Sequence, residues 1–148
     1  MLPPLLFWLL LCGVAAYAFG RGRMDERLAA GICLVGSVTT FFVSTIGRYT
    51  AQYSNIEVGI LLIDSLVLLG FVLLALRSKR FWPLWVAGFQ LTSTFAHAMK
   101  AVQLDLLPQV YAVAERFWVY PIFLIIVIGT WRGHQRLIRE RDRVSIPA

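Results

Sequence analysis

Five long apolar stretches separated by short polar connectors set the pattern of this chain. They fall at about 2–19, 28–47, 56–76, 81–98 and 107–131. Each holds about 18–25 residues, enough for a helix rising ~1.5 Å per residue to cross a ~30 Å hydrocarbon layer. The pattern predicts an all-α, polytopic membrane bundle of five transmembrane helices within residues 1–131. Residues 132–148 follow as a basic tail.

The connectors alternate in charge, and this orients the prediction. Eleven of the fourteen Lys and Arg residues fall on one side of the expected bundle. Arg21, Arg23 and Arg27 occupy the first connector, Arg77, Lys79 and Arg80 the third, and Arg132, Arg136, Arg139, Arg141 and Arg143 the tail. The second and fourth connectors hold only Arg48 and Lys100, and Arg116 lies within the fifth stretch. The positive-inside rule places the N-terminus outside and the C-terminus in the cytoplasm. A short chain with five spans and no extramembrane domain suits a small bacterial inner-membrane protein, so a multi-pass position in the inner (plasma) membrane is expected.

Composition strengthens the membrane expectation. Hydrophobic residues make up 59% of the chain and charged residues 15%, with a mean hydropathy of +0.72; a soluble domain of 148 residues is more polar. A net charge of +6 would otherwise suggest a nucleic-acid partner. Here topology and the anionic inner leaflet account for the basic residues, and no aromatic-interleaved basic stripe or zinc-finger spacing points to nucleic acid. The first stretch lacks the basic residue that opens a secretory signal, so it reads as a retained span with Pro3 and Pro4 at its start. Cys12 and Cys33 sit inside spans and read as small hydrophobes. Tyr17, Phe81, Trp82, Trp85 and Trp131 gather where the cytoplasmic interface is expected, while Tyr49 and Tyr53 mark the outer one.

Candidate chemistry lies in polar residues that a membrane disfavours. A charge at the bilayer centre costs roughly 2.5–3.5 kcal/mol on insertion scales, so such residues face the bundle interior and find partners. Asp64 finds no local partner in its neighbours Leu61, Leu62, Ile63, Leu66 and Val67, and Glu115 and Arg116 fall at similar depth in the fifth. Gln90, Ser93, Thr94 and His97 make one face of the fourth span; Ser37, Thr40, Ser44 and Arg48 make one of the second. Only the first span contributes no polar row. The expected cluster is Asp64, Gln90, His97, Glu115 and Arg116, in the outer half. Arg116 is the first-choice partner of Asp64, with His97, Gln90, Ser44 and Thr40 as the other donors in reach. Glu57, Arg48 and Lys100 read as headgroup-level residues, and Pro121 is expected to kink the fifth span.

Several classes of chemistry are absent. His97 and His134 lie a membrane thickness apart and cannot share a haem or a metal within one subunit, so no cofactor is expected. Single-histidine haem ligation through His97 is the sole exception left open. No Ser-His-Asp order, phosphate-binding loop or dinucleotide fingerprint appears. The tail from Arg132 to Arg143 is expected to extend the last helix and contact anionic lipid or an acidic partner through its arginines. Spans two–three and four–five share landmarks, among them Asp64 and Glu115, that a parallel repeat would explain. Three functions remain open. The first is a non-catalytic accessory subunit of a larger membrane complex, working with other subunits or as a homodimer. The second is a carrier or binding protein for a hydrophobic or weakly charged ligand. The third is an enzyme acting on lipid or quinone through Asp64 or Glu115.

Overall fold

A computed structural model describes residues 4–50, 53–102 and 118–144, with side chains described over 5–46, 58–99 and 118–140. Among these residues the protein is all-helical, with five helices and no strand. Helix α1 spans Pro4–Arg21 and α2 Met24–Thr50. Helix α3 covers Tyr53–Arg77, α4 Trp82–Val102, and α5 Val119–Val144. By length and composition two segments qualify as candidate membrane spans, Met24–Ile46 and Val58–Arg77. Leu5–Arg21 is apolar but shorter.

The helices form a ring in chain order. α1 packs on α2, α2 on α3, α3 on α4 and α4 on α5, and contacts between α1 and α5 close it. α1 therefore stands opposite the α3–α4 pair. α2 and α3 approach closely: a Cβ on Gly36 would lie 2.6 Å from a Val67 methyl, and one on Gly70 3.3 Å from Ile32. Alternating bare backbone with branched side chains lets the two helices approach closely.

The helix ends follow from local chemistry. Gly22 closes α1, donating its N–H to the Ala18 carbonyl at 2.8 Å, and a Cβ there would sit 2.3 Å from that oxygen. α2 starts at once. Glu26 in its first turn turns back to accept the Arg23 N–H at 2.9 Å, half of a capping box. Ser78 ends α3 with a bond from its N–H to the Leu74 carbonyl. Pro83, in the first turn of α4, needs no N–H partner there. Pro121 likewise falls in the first turn of α5; the stretch before it, where the expected kink would show, lies outside the described residues. α5 then continues without a break past Trp131 to Val144.

The core occupies the arginine-rich half. Leu11, Ala18, Ala29, Phe71, Val86 and Ile126 are almost wholly enclosed there. Small residues on α1 and α2 let the helices close against larger ones on α3 and α5. The outward faces are strongly apolar, and only 11% of each candidate-span window is buried. Phe81, Trp85 and Trp131 lie exposed at the arginine-rich end.

Candidate functional site

Next to that core, with Phe71 on its border, the ring of helices is hollow. A cavity of about 320 Å³ is lined by residues from all five helices, a size typical of small-molecule sites. Its walls are unequal. One side, from α3 and α4, carries Asp64, Gln90, Ser93 and His97. The opposite side, from α5, α1 and α2, is aromatic: Phe123, Phe7, Trp8 and Phe41 form a continuous row of rings. Successive centroids are 5.9, 5.7 and 5.6 Å apart. Ser37, Thr40 and Cys33 fill in between.

Asp64 organises the polar wall. It lies midway along α3, where the adjacent Ser65 hydroxyl is spent on the Leu61 carbonyl, and α4 supplies donors instead. His97 Nε2 lies 3.3 Å from Asp64 Oδ2, and Ser93 Oγ–H donates to the same oxygen at 3.4 Å. Thr94 Oγ1 lies 3.4 Å from the Asp64 carbonyl and 3.0 Å from that of Gln90. Gln90, Ser93 and His97 are spaced three and four residues apart and are all buried, so one face of α4 presents them together. These two contacts are longer than the ~2.7–2.9 Å of a tight charge-assisted bond. The Asp64 side chain keeps 17% of its surface exposed.

Of the expected cluster, Asp64, Gln90 and His97 meet at this cavity, whereas Glu115 and Arg116 lie outside the described residues, as does the proposed Asp64–Arg116 pair. Thr40 lines the cavity wall. Ser44 does not reach Asp64, because it donates to the Thr40 carbonyl on its own helix at 2.7 Å. Thr39, Thr45 and Ser65 satisfy themselves in the same way. A polar row on a helix wheel is thus a weaker signal than it looks, since such hydroxyls can be spent locally. The side chains of Glu57, Arg48 and Lys100 are outside the described residues. Among the described residues no group of three or more His, Cys, Asp or Glu could hold a metal ion.

The sequence reading missed the aromatic wall and a second polar cluster. Phe7 and Trp8 sit on the one span credited with no contribution, and rings in an apolar stretch carry no mark of facing inward. The second cluster lies at the arginine-rich end. Glu26 is wholly buried and pairs with Arg80 from the α3–α4 connector. Asp25 accepts a 2.7 Å bond from the Ser78 hydroxyl, which itself accepts the Arg80 N–H. α5 passes so close at Gly133 that a Cβ would lie 3.2 Å from Arg80 and 3.4 Å from Glu26. The acidic pair opening α2, beside Arg23, was the available signal.

Around and beyond Gly133, α5 carries Arg132, Arg136 and Arg139, all exposed and on one face by helical register. Position 143 continues that face and position 141 falls opposite; the side chains of Arg141 and Arg143 lie outside the described residues. No protein family, characterised protein or solved structure matches this chain.

Proposed function

We propose that this is a five-span inner-membrane protein, N-terminus outside, whose hollow half binds a hydrophobic molecule bearing one polar group. The convergence of Asp64, Gln90, Ser93 and His97 on one side of a mostly apolar cavity carries this reading. Polar side chains inside a membrane bundle are costly, and they are retained where a ligand or a partner uses them. Apolar walls supply affinity and a few convergent polar atoms supply orientation. The apolar outer faces, the exposed rings at the arginine-rich end and five helices of 18–27 residues support the membrane setting.

The test compares the native chain with Ser37→Phe, whose ring would fill the cavity. Organic extracts of the two proteins, purified in mild detergent, are compared by mass spectrometry. The native chain should carry a small molecule that the variant lacks; identical extracts would count against the binding site. Reporter fusions at each terminus check the orientation.

One observation favours a second reading. The arginine row on α5 stands clear of the bundle, where it suits an acidic partner subunit or anionic headgroups. An accessory subunit would use this row and need no interior ligand. Co-purification of another membrane protein, lost when Arg136 and Arg139 are neutralised, distinguishes it from the binding protein.

A further inference from the structure

We propose that the cavity takes an aromatic ring bearing a hydroxyl group, with the Gln90 carboxamide as the anchor of that hydroxyl. The inference rests on the binding-protein reading and names its ligand class. Unspent hydrogen-bonding capacity collects at this cavity. Thr39, Ser44, Thr45, Ser65, Thr92 and Thr130 each donate to the carbonyl four residues earlier on their own helix. Ser78, Ser93 and Thr94 also have acceptors. Ser37 and Thr40 are the exceptions: among the described residues their hydroxyls donate to nothing, and both line the cavity. Gln90 is the stronger case. It is only 6% exposed, yet its side-chain amide has no partner among the described residues. Trp82 Nε1 is the one unpartnered side-chain polar atom there that is sealed off completely. The Gln90 amide therefore opens onto the cavity it lines. A buried amide without a partner is costly, and a ligand group that enters beside it relieves the cost.

The amide also narrows what that group is. A carboxamide offers donors on its nitrogen and an acceptor on its oxygen. A ketone or an ether would accept from the Gln90 N–H groups and leave Oε1 unmet. A hydroxyl serves both roles, since its O–H donates to Oε1 and its oxygen accepts from a second donor. The hydroxyls of α2 supply such donors. Gly36 packs at Val67, and Thr94 reaches the Asp64 carbonyl. Counting ~1.5 Å per residue from these contacts puts Ser37 and Gln90 within about one helical turn of the same depth, on the two flanks of α3. The rest of the ligand meets the rings of Phe123, Phe7, Trp8 and Phe41, whose centroids are 5.6–5.9 Å apart. Aromatic rings favour that spacing in edge-on and tilted pairs, so an aromatic body extends the row. Gln90, Ser37 and Thr40 are uncharged, and recognition through them does not turn on the protonation of Asp64 or His97.

The experiment uses three probes built on one ring system: β-naphthol, its methyl ether and naphthalene. Each is titrated calorimetrically into the full chain in non-ionic detergent, with the heat of entering detergent alone subtracted. The naphthol should bind, and the ether should bind on the order of tenfold more weakly, the scale for leaving a buried polar group unmet. Gln90→Leu keeps the bulk and removes the amide. It should bring naphthol affinity down to that of the ether and hold naphthalene within a few-fold. Thr92→Val, whose hydroxyl is spent on its own helix, should change none of the three. If Gln90→Leu fails to fold, the ranking of the probes on the native chain decides by itself. Equal binding of naphthol and ether, lost together in Ser37→Phe, would overturn the hydroxyl assignment and leave the hydrophobic site standing. A preference for naphthol that survives in Gln90→Leu overturns the anchor. Failure of all three probes to bind also overturns the proposal, and if the native extract in addition carries no small molecule, the site itself falls.

Discussion

The two ends of this bundle handle buried charge in opposite ways. At the arginine-rich end Glu26 is closed off completely, held by Arg80 and by the Arg23 N–H, with α5 pressed against the pair at Gly133. In the hollow half Asp64 rests against His97 and Ser93 through contacts of 3.3–3.4 Å and borders open space. The first arrangement resembles a rivet, since it ties three segments distant in sequence and leaves no room for anything else. The second leaves a polar group accessible. A carboxylate enclosed by its partners mainly supports the fold, whereas Asp64 sits at the edge of a cavity with part of its side chain exposed.

Stability measurements should separate the ends, and the largest effect belongs to the rivet. Breaking a buried pair from one side typically costs about 3–5 kcal/mol, so Glu26→Ala should lower the unfolding midpoint in detergent markedly. Combining it with Arg80→Leu should recover part of the loss, because no unpaired charge is then left buried. Gly22→Ala comes next. Its new Cβ would meet the Ala18 carbonyl at 2.3 Å, and backbone must move to relieve the clash. A loss of about 1–3 kcal/mol is expected, the usual scale of overpacking.

The hollow half should respond less. His97→Ala and Ser93→Ala each remove one long polar contact to Asp64, and about 0.5–1.5 kcal/mol is the ordinary scale for such a loss. An unfolding shift for either as large as that of Glu26→Ala would erase the distinction between the two ends. Ser37→Leu should leave the midpoint almost unchanged while abolishing binding, because it fills space that is already empty. The smallest effect on stability falls on α5. Arg136→Gln with Arg139→Gln should not alter unfolding at all. It should weaken attachment of the protein's exposed end to anionic vesicles by about 1 kcal/mol per arginine, in a salt-dependent way.

Much of the architecture was legible because hydropathy and helix length are linked by simple geometry. Residues 2–19 and 56–76 anticipate α1 and α3 within a few positions, and the arginine clusters do gather at one end. The continuation of α5 through the tail to Val144 was also readable, since Arg, Glu and Leu sustain a helix there. The site was legible only on its polar side. Asp64, Gln90 and His97 stand out against apolar surroundings, whereas Phe7, Trp8, Phe41 and Phe123 do not, because an inward ring and a lipid-facing ring look alike in sequence. Asp64 itself pairs in the described structure with His97, one of the donors weighed, and with Ser93, which was noted only as part of the α4 row. Glu26 and Arg80 were hidden for another reason. Both lie beside connector charges that topology already explains, and nothing local reveals that residues 54 positions apart will meet.

That separation also bears on how the protein is made. A ribosome adding roughly 5–20 residues per second needs about 3–10 s to go from Glu26 to Arg80. Throughout that interval the carboxylate has a substitute, because the Arg23 N–H lies only three residues away and is synthesised with it. The first hairpin can therefore wait, its acidic group already satisfied on one oxygen, and the other oxygen is free to take the guanidinium when α3 has passed and the chain turns back. The order of synthesis and the order of bonding coincide at this one side chain.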